Sequence, residues 1–150
     1  MSDHAFYAII DFAIEREIDA YEFYTAMAKK AKVSAMKSVF EEFAKEEMGH
    51  KHKLEGLKKG TITLSSAKPV TDLKISDYTV EVDPDVEVDY QHALIIAMKK
   101  EKAAFRLYMD LAETVADDNL RSIFKSLAQE EAKHKLRFEL EYDQNILTEN

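Results

Sequence analysis

Glu47 and His50 stand three residues apart, and the same pair recurs as Glu131 and His134. On a helix this spacing stacks the two side chains on one face, a turn apart, so a carboxylate oxygen and an imidazole nitrogen can reach one ion. The 150 residues include no cysteine. Oxygen and imidazole are therefore the donors left for a metal, and disulfides, zinc ribbons, iron–sulfur sites and thiol nucleophiles are removed together. A single Glu-x-x-His among so many Glu, Lys and His residues would read as a solvated face. Two at corresponding positions ask for a chemical reason.

The pairs belong to a longer repeat. Residues 10–54 align without a gap on residues 94–138 at the offset 131 − 47 = 84, with twelve identities in 45 positions. The identities include Glu17/Glu101, Ala20/Ala104, Tyr24/Tyr108, Phe40/Phe124, Ala44/Ala128 and Glu46/Glu130, besides the Glu-x-x-His residues. Many of the other positions exchange apolar for apolar, which predicts two similar helical hairpins facing one another about an approximate twofold axis. Matching polar residues should then converge.

Inward positions in a bundle recur three and four residues apart, and four such seams can be traced. The first reads Ile10, Ala13, Glu17, Ala20, Tyr24, Met27 and the third Leu94, Ala97, Glu101, Ala104, Tyr108, Leu111. The second reads Met36, Phe40, Phe43, Glu47, His50, Leu54 and the fourth Leu120, Phe124, Leu127, Glu131, His134, Phe138. Each is apolar except around its middle. Carboxylates buried together would take up protons or destabilise the fold, because desolvation and like-charge repulsion both oppose ionisation. Two divalent ions resolve the conflict, setting four positive charges against four carboxylates. A Glu from each of two helices with Glu-x-x-His from each of the other two is the ligand set of di-iron and di-manganese bundles. The candidate ligands are thus Glu17, Glu47, His50, Glu101, Glu131 and His134, a set that accepts two iron ions, manganese or a mixed pair.

The elements that must carry these residues follow from periodicity and punctuation. Apolar spacing of three and four predicts helices over about residues 3–30, from near Met36 to near Gly60, over about 90–115 and over about 120–142. Asp117, Asp118 and Asn119 supply turn and cap signals before the last. From residue 61 to 89 the periodicity fails, Pro69 and Pro84 appear, and Tyr78, Val80 and Val82 alternate with polar residues, which reads as a long crossover in extended chain. Two antiparallel helix pairs joined by one long connection make an all-α, ferritin-like four-helix bundle.

Length and 46% hydrophobic content suit one domain over residues 1–150. The net charge of −8, with no basic cluster evident, argues against nucleic acid and anionic membrane as partners. The N-terminal Met1, Ser2, Asp3 and His4 lack the pattern of a signal peptide and no apolar run approaches a membrane span, so a cytoplasmic protein is expected. His4, His52 and His92 have no mirrored partner and fall off the seams, so they are expected at the surface. Glu46 and Glu130 also fall off the seams. Tyr24 and Tyr108 lie one heptad beyond Glu17 and Glu101, where their hydroxyls could hydrogen-bond a ligand carboxylate.

Through Glu17-x-x-Ala20-x-x-x-Tyr24, Glu47-x-x-His50, Glu101-x-x-Ala104-x-x-x-Tyr108 and Glu131-x-x-His134, the chain resembles the rubrerythrin branch of the ferritin-like superfamily over nearly its whole length. The resemblance implies a non-haem di-iron centre that reacts with hydrogen peroxide or dioxygen, held by the six residues above, with Glu47 and Glu131 bridging and Glu17 and Glu101 terminal. It also implies an oxidoreductase of peroxidase or ferroxidase type and a homodimer or higher homo-oligomer. Rubrerythrins proper carry a rubredoxin-like module with cysteines; here the electron donor must be another protein. Ala104 stands three residues after the third-helix ligand, where rubrerythrins tend to carry a further glutamate linked to redox-driven movement of iron. Iron storage or detoxification, and a metal-stabilised bundle without turnover, are the alternative expectations.

Overall fold

The computed structural model describes residues 2–59, 78–80 and 89–144. Four helices account for nearly all of them: α1 (Ser2–Lys30), α2 (Ser34–Lys59), α3 (Tyr90–Thr114) and α4 (Asp118–Tyr142). The chain divides into two compact units, Met1–Asp72 and Leu73–Asn150. Apart from residues 78–80 and Asp89, the crossover expected over residues 61–89, with Pro69 and Pro84, lies outside the described residues.

In the first unit, residues 31–33 join α1 to α2, a connection so short that the helices must run antiparallel. The turn is held by main-chain bonds from Ala31 N–H to the Met27 carbonyl (2.9 Å) and from Lys37 N–H to the Val33 carbonyl (3.0 Å). Lys29 and Lys30 close α1, and Lys58 and Lys59 close α2, where cations oppose the negative end of the helix dipole. Lys58 also reaches back to Asp11 at 2.6 Å. The core of this hairpin holds Ile10, Ala13, Tyr24, Met27, Met36, Phe40 and Leu54. Phe43, placed on a seam by its spacing, is only half-buried, whereas the neighbouring Ala44 is buried.

The second unit repeats the plan, with an aspartate capping each helix. Asp89 accepts a bond from His92 N–H at 2.8 Å and Asp117 one from Leu120 N–H at 2.9 Å, each satisfying an orphan donor of the first turn. The Asp117 cap starts α4 at Asp118, two residues before the apolar periodicity begins. Tyr78 is buried in this unit, its hydroxyl donating to Asp110 Oδ2 at 2.6 Å. No helix among the described residues is long and apolar enough to cross a membrane.

Gly49 sits in the interior of α2, exposed, between Glu47 and His50, and a Cβ added there would meet nothing within 4 Å. Glycine loses more backbone entropy on folding than alanine does, so Gly49→Ala should stabilise the protein by about 0.5–1 kcal/mol. Urea unfolding would show this as a raised midpoint at unchanged slope. A lowered midpoint would mean that the position needs more than helical backbone.

Candidate metal centre

Each hairpin brings its own three donors together. In the first, α1 contributes Glu17 and α2 contributes Glu47 and His50, which share one face of α2 because they are three residues apart. His50 Nδ1 lies 3.5 Å from Glu17 Oε2 and 3.5 Å from Glu47 Oε1. In the second, His134 Nδ1 of α4 lies 3.7 Å from Glu101 Oε2 of α3 and 3.8 Å from Glu131 Oε1. Within each triad one donor atom per residue lies within 4.8 Å of the others.

All six are buried, none more than 4% exposed, at the level where each seam turns from apolar to polar. The rest of each seam is hydrocarbon, so these groups have been taken from water into an interior that opposes unscreened charge. The separations exceed ordinary hydrogen bonds of about 2.7–3.2 Å. They are instead close to what a shared ion imposes: donors ~2.1 Å from a first-row metal, at angles of roughly 90–110°, stand ~3.0–3.4 Å apart. Two carboxylate oxygens and one imidazole nitrogen form a donor set suited to a divalent ion. The residues present fit a metal in each triad.

The family model Rubrerythrin matches residues 8–142, a span that takes in all six of these donors. The chain belongs to the rubrerythrin family. Its fold is accordingly the all-α, ferritin-like four-helix bundle that the spacing predicted. Among solved structures, a hypothetical protein from Pyrococcus furiosus is similar, with 26% sequence identity and a TM-score of 0.66, over 90% of this chain and 86% of that one. No curated protein matches the chain. The family's fold is of the di-iron carboxylate type, and each of the chain's two buried Glu/His clusters is compatible with binding metal.

The remaining candidates divide by burial. Tyr24 and Tyr108 are wholly buried and take matching positions, Tyr24 stacked on Phe40 (centroids 6.4 Å apart) and Tyr108 on Phe124 (6.5 Å). His52 is exposed and pairs with Glu55 at 3.4 Å, and His92 is exposed; the side chain of His4 lies outside the described residues. Glu46 is exposed and Glu130 half-buried. One buried carboxylate was missed: Glu141 accepts a bond from the Tyr90 hydroxyl at 3.1 Å, with Arg137 at 3.7 Å. Burial, and then the Glu141 carboxylate, push the Tyr90 hydroxyl's pKa up. Extending the fourth seam one heptad past His134 would have found Glu141.

Proposed function

We propose that the two triads together form one centre for two iron ions and that the protein is a non-haem di-iron oxidoreductase that reduces hydrogen peroxide, or dioxygen, with electrons from an external donor protein. The observation that carries this reading is the duplicated convergence of two carboxylates and one imidazole in a dry interior, in a chain of the rubrerythrin family. Glu17, Glu47, His50, Glu101, Glu131 and His134 would hold the ions, Glu17 and Glu101 each serving one of them and Glu47 and Glu131 both. When bound, the iron pair supplies the two electrons that, with two protons, turn one peroxide into two waters.

The chain's own groups do the rest. Glu47 with His50, and Glu131 with His134, are held at a fixed rise along one helix each, so the donor positions are set before an ion arrives. Tyr24 and Tyr108, fixed by stacking on Phe40 and Phe124 and one heptad from Glu17 and Glu101, would hydrogen-bond a ligand carboxylate and orient it. The apolar seam residues keep bulk water from the donors. With no cysteine among these residues, reducing equivalents come from a partner, and the bundle works as a homodimer or larger assembly.

Anaerobic protein loaded with ferrous iron and rapidly mixed with each oxidant tests the reading. Hydrogen peroxide should oxidise it much faster than dioxygen does, and the reaction should stop after two electrons per centre unless a reductant is supplied. Equal rates with growth of a mineral core from added ferrous ion would make iron storage the function. No reaction with either oxidant would remove the oxidoreductase reading.

A further inference from the structure

Lys29, Lys30, Lys32 and Lys37 crowd the tip of the α1–α2 hairpin, and residues 29–37 include no acidic side chain. This basic cluster corrects the expectation, drawn with the overall charge of −8, that none is present. All four are exposed. Some lysines elsewhere take acidic partners: Lys51 pairs with Glu55 at 3.4 Å, Lys58 with Asp11 at 2.6 Å and Lys135 with Glu139 at 3.2 Å. Among the described residues, the tip lysines form no ion pair.

The repeat supplies an internal comparison. At the offset of 84, Lys37 corresponds to Arg121. Arg121 is bound into its own tip, donating to the Val115 carbonyl at 3.0 Å and pairing with Asp118 at 2.9 Å. Ser34 stands where Asp118 would be, so Lys37 is offered no carboxylate there. The second tip, residues 113–121, carries Glu113, Asp117 and Asp118 and uses its one cation to close its loop. A hairpin of this pattern therefore closes without outward cations, and the first tip keeps four of them around Val33, which is 56% exposed.

From this tip a groove runs along the flank of the hairpin. Tyr21, Ala28, Ala44 and Met48 line its interior, and the exposed Lys29, Lys37 and Lys45 stand at its edge. From Ser38 to Met48 it follows α2 for roughly 15 Å at ~1.5 Å per residue. Met48 is the residue after Glu47, so the inner end of the groove comes level with the first metal-binding triad.

We propose that this tip and groove dock an acidic electron-transfer protein, the donor that the oxidoreductase reading above requires and on which this inference rests. An exposed apolar residue ringed by cations, leading into a cleft that ends beside a metal ligand, suits a partner that shows carboxylates around its own redox centre. Glu41 and Glu42 also line the groove. They would repel a phosphate backbone, whereas a protein can meet them with cations of its own.

The test uses the full, oxidised, metal-loaded chain with two reductants, a small acidic [2Fe–2S] ferredoxin and dithionite, which needs no docking. The variant Lys29→Glu/Lys32→Glu/Lys37→Glu is compared with Lys53→Glu/Lys59→Glu/Lys125→Glu, an equal charge change at exposed positions off the groove. At low salt the ferredoxin rate should fall tenfold or more in the tip variant and much less in the control, with dithionite rates alike in all three. Anisotropy of dye-labelled ferredoxin should show binding that 0.5 M salt and the tip variant abolish and the control retains. That binding is read without turnover, so it stands or falls apart from the redox activity. Equal losses in both variants, no loss in the tip variant, or salt-sensitive binding of duplex DNA with none of ferredoxin would each overturn the proposal.

Discussion

Stripping the metals with a chelator is expected to lower the melting temperature at pH 7 by on the order of 10 °C. The reasoning starts from burial: Glu17, Glu47, Glu101 and Glu131 are each no more than 2% exposed, and the only cationic counterweight within each triad is a histidine that must be neutral to bind metal. Leaving a buried charge without its partner costs about 3–5 kcal/mol. For a chain of this size each kcal/mol moves the midpoint by roughly 2–4 °C. The bound ions add stability in the native state alone, since no unfolded chain holds six donors together. Protons compete with metal for the same oxygens, so acidification should shrink the difference between the two forms. Calorimetry with and without chelator, after elemental analysis has confirmed metal loss, measures it. Superimposable curves at pH 7 would be incompatible with a buried two-metal centre.

Glu47→Ala and Glu131→Ala are each expected to bring metal content well below one ion per chain, from two in the parent protein. A bridging carboxylate serves both ions, and its loss also removes the charge that lets two dications lie close together. Glu17→Ala and Glu101→Ala should be milder, lowering content toward one ion, because a terminal carboxylate serves one metal. The contrast between the two classes is what matters, and elemental analysis of all four variants against protein concentration reads it directly. Full occupancy after either bridging substitution, or one ion per chain in the parent, would dismantle the assignment. Circular dichroism distinguishes loss of metal from loss of fold, since alanine preserves helix propensity at every one of these positions.

Much of the candidate site could be read from spacing alone, for a reason tied to particular residues. Glu17, Glu47, His50, Glu101, Glu131 and His134 fall on the same three-and-four pattern as Ile10, Tyr24, Phe40, Leu54, Leu94 and Phe138, and all of these are buried. A polar residue in register with a hydrophobic stripe is carried inside by its neighbours. Where the pattern was ambiguous, it misled. Phe43 and Leu127 share a repeat position, yet Phe43 is half-buried and Leu127 fully buried, a difference that their common spacing does not encode. Glu141 lies one heptad past His134 and so within reach of the fourth seam, but its hydrogen bond from Tyr90, 51 residues away in the chain, is encoded by no spacing.

By itself the sequence determined which segments are helical, which face of each turns inward and which donors that face carries, since all three follow from the 3.6-residue period within a single helix. The match over residues 8–142 to the rubrerythrin family agrees with that local reading. Only the tertiary structure decided that Glu17 Oε2 comes within 3.5 Å of His50 Nδ1, and Glu101 Oε2 within 3.7 Å of His134 Nδ1. Those distances depend on how far one helix slides and turns against its neighbour. That register is settled by the three-residue tips and by interlocking side chains such as Tyr24 on Phe40 and Tyr108 on Phe124, which are contacts between residues far apart in the chain that no periodicity encodes.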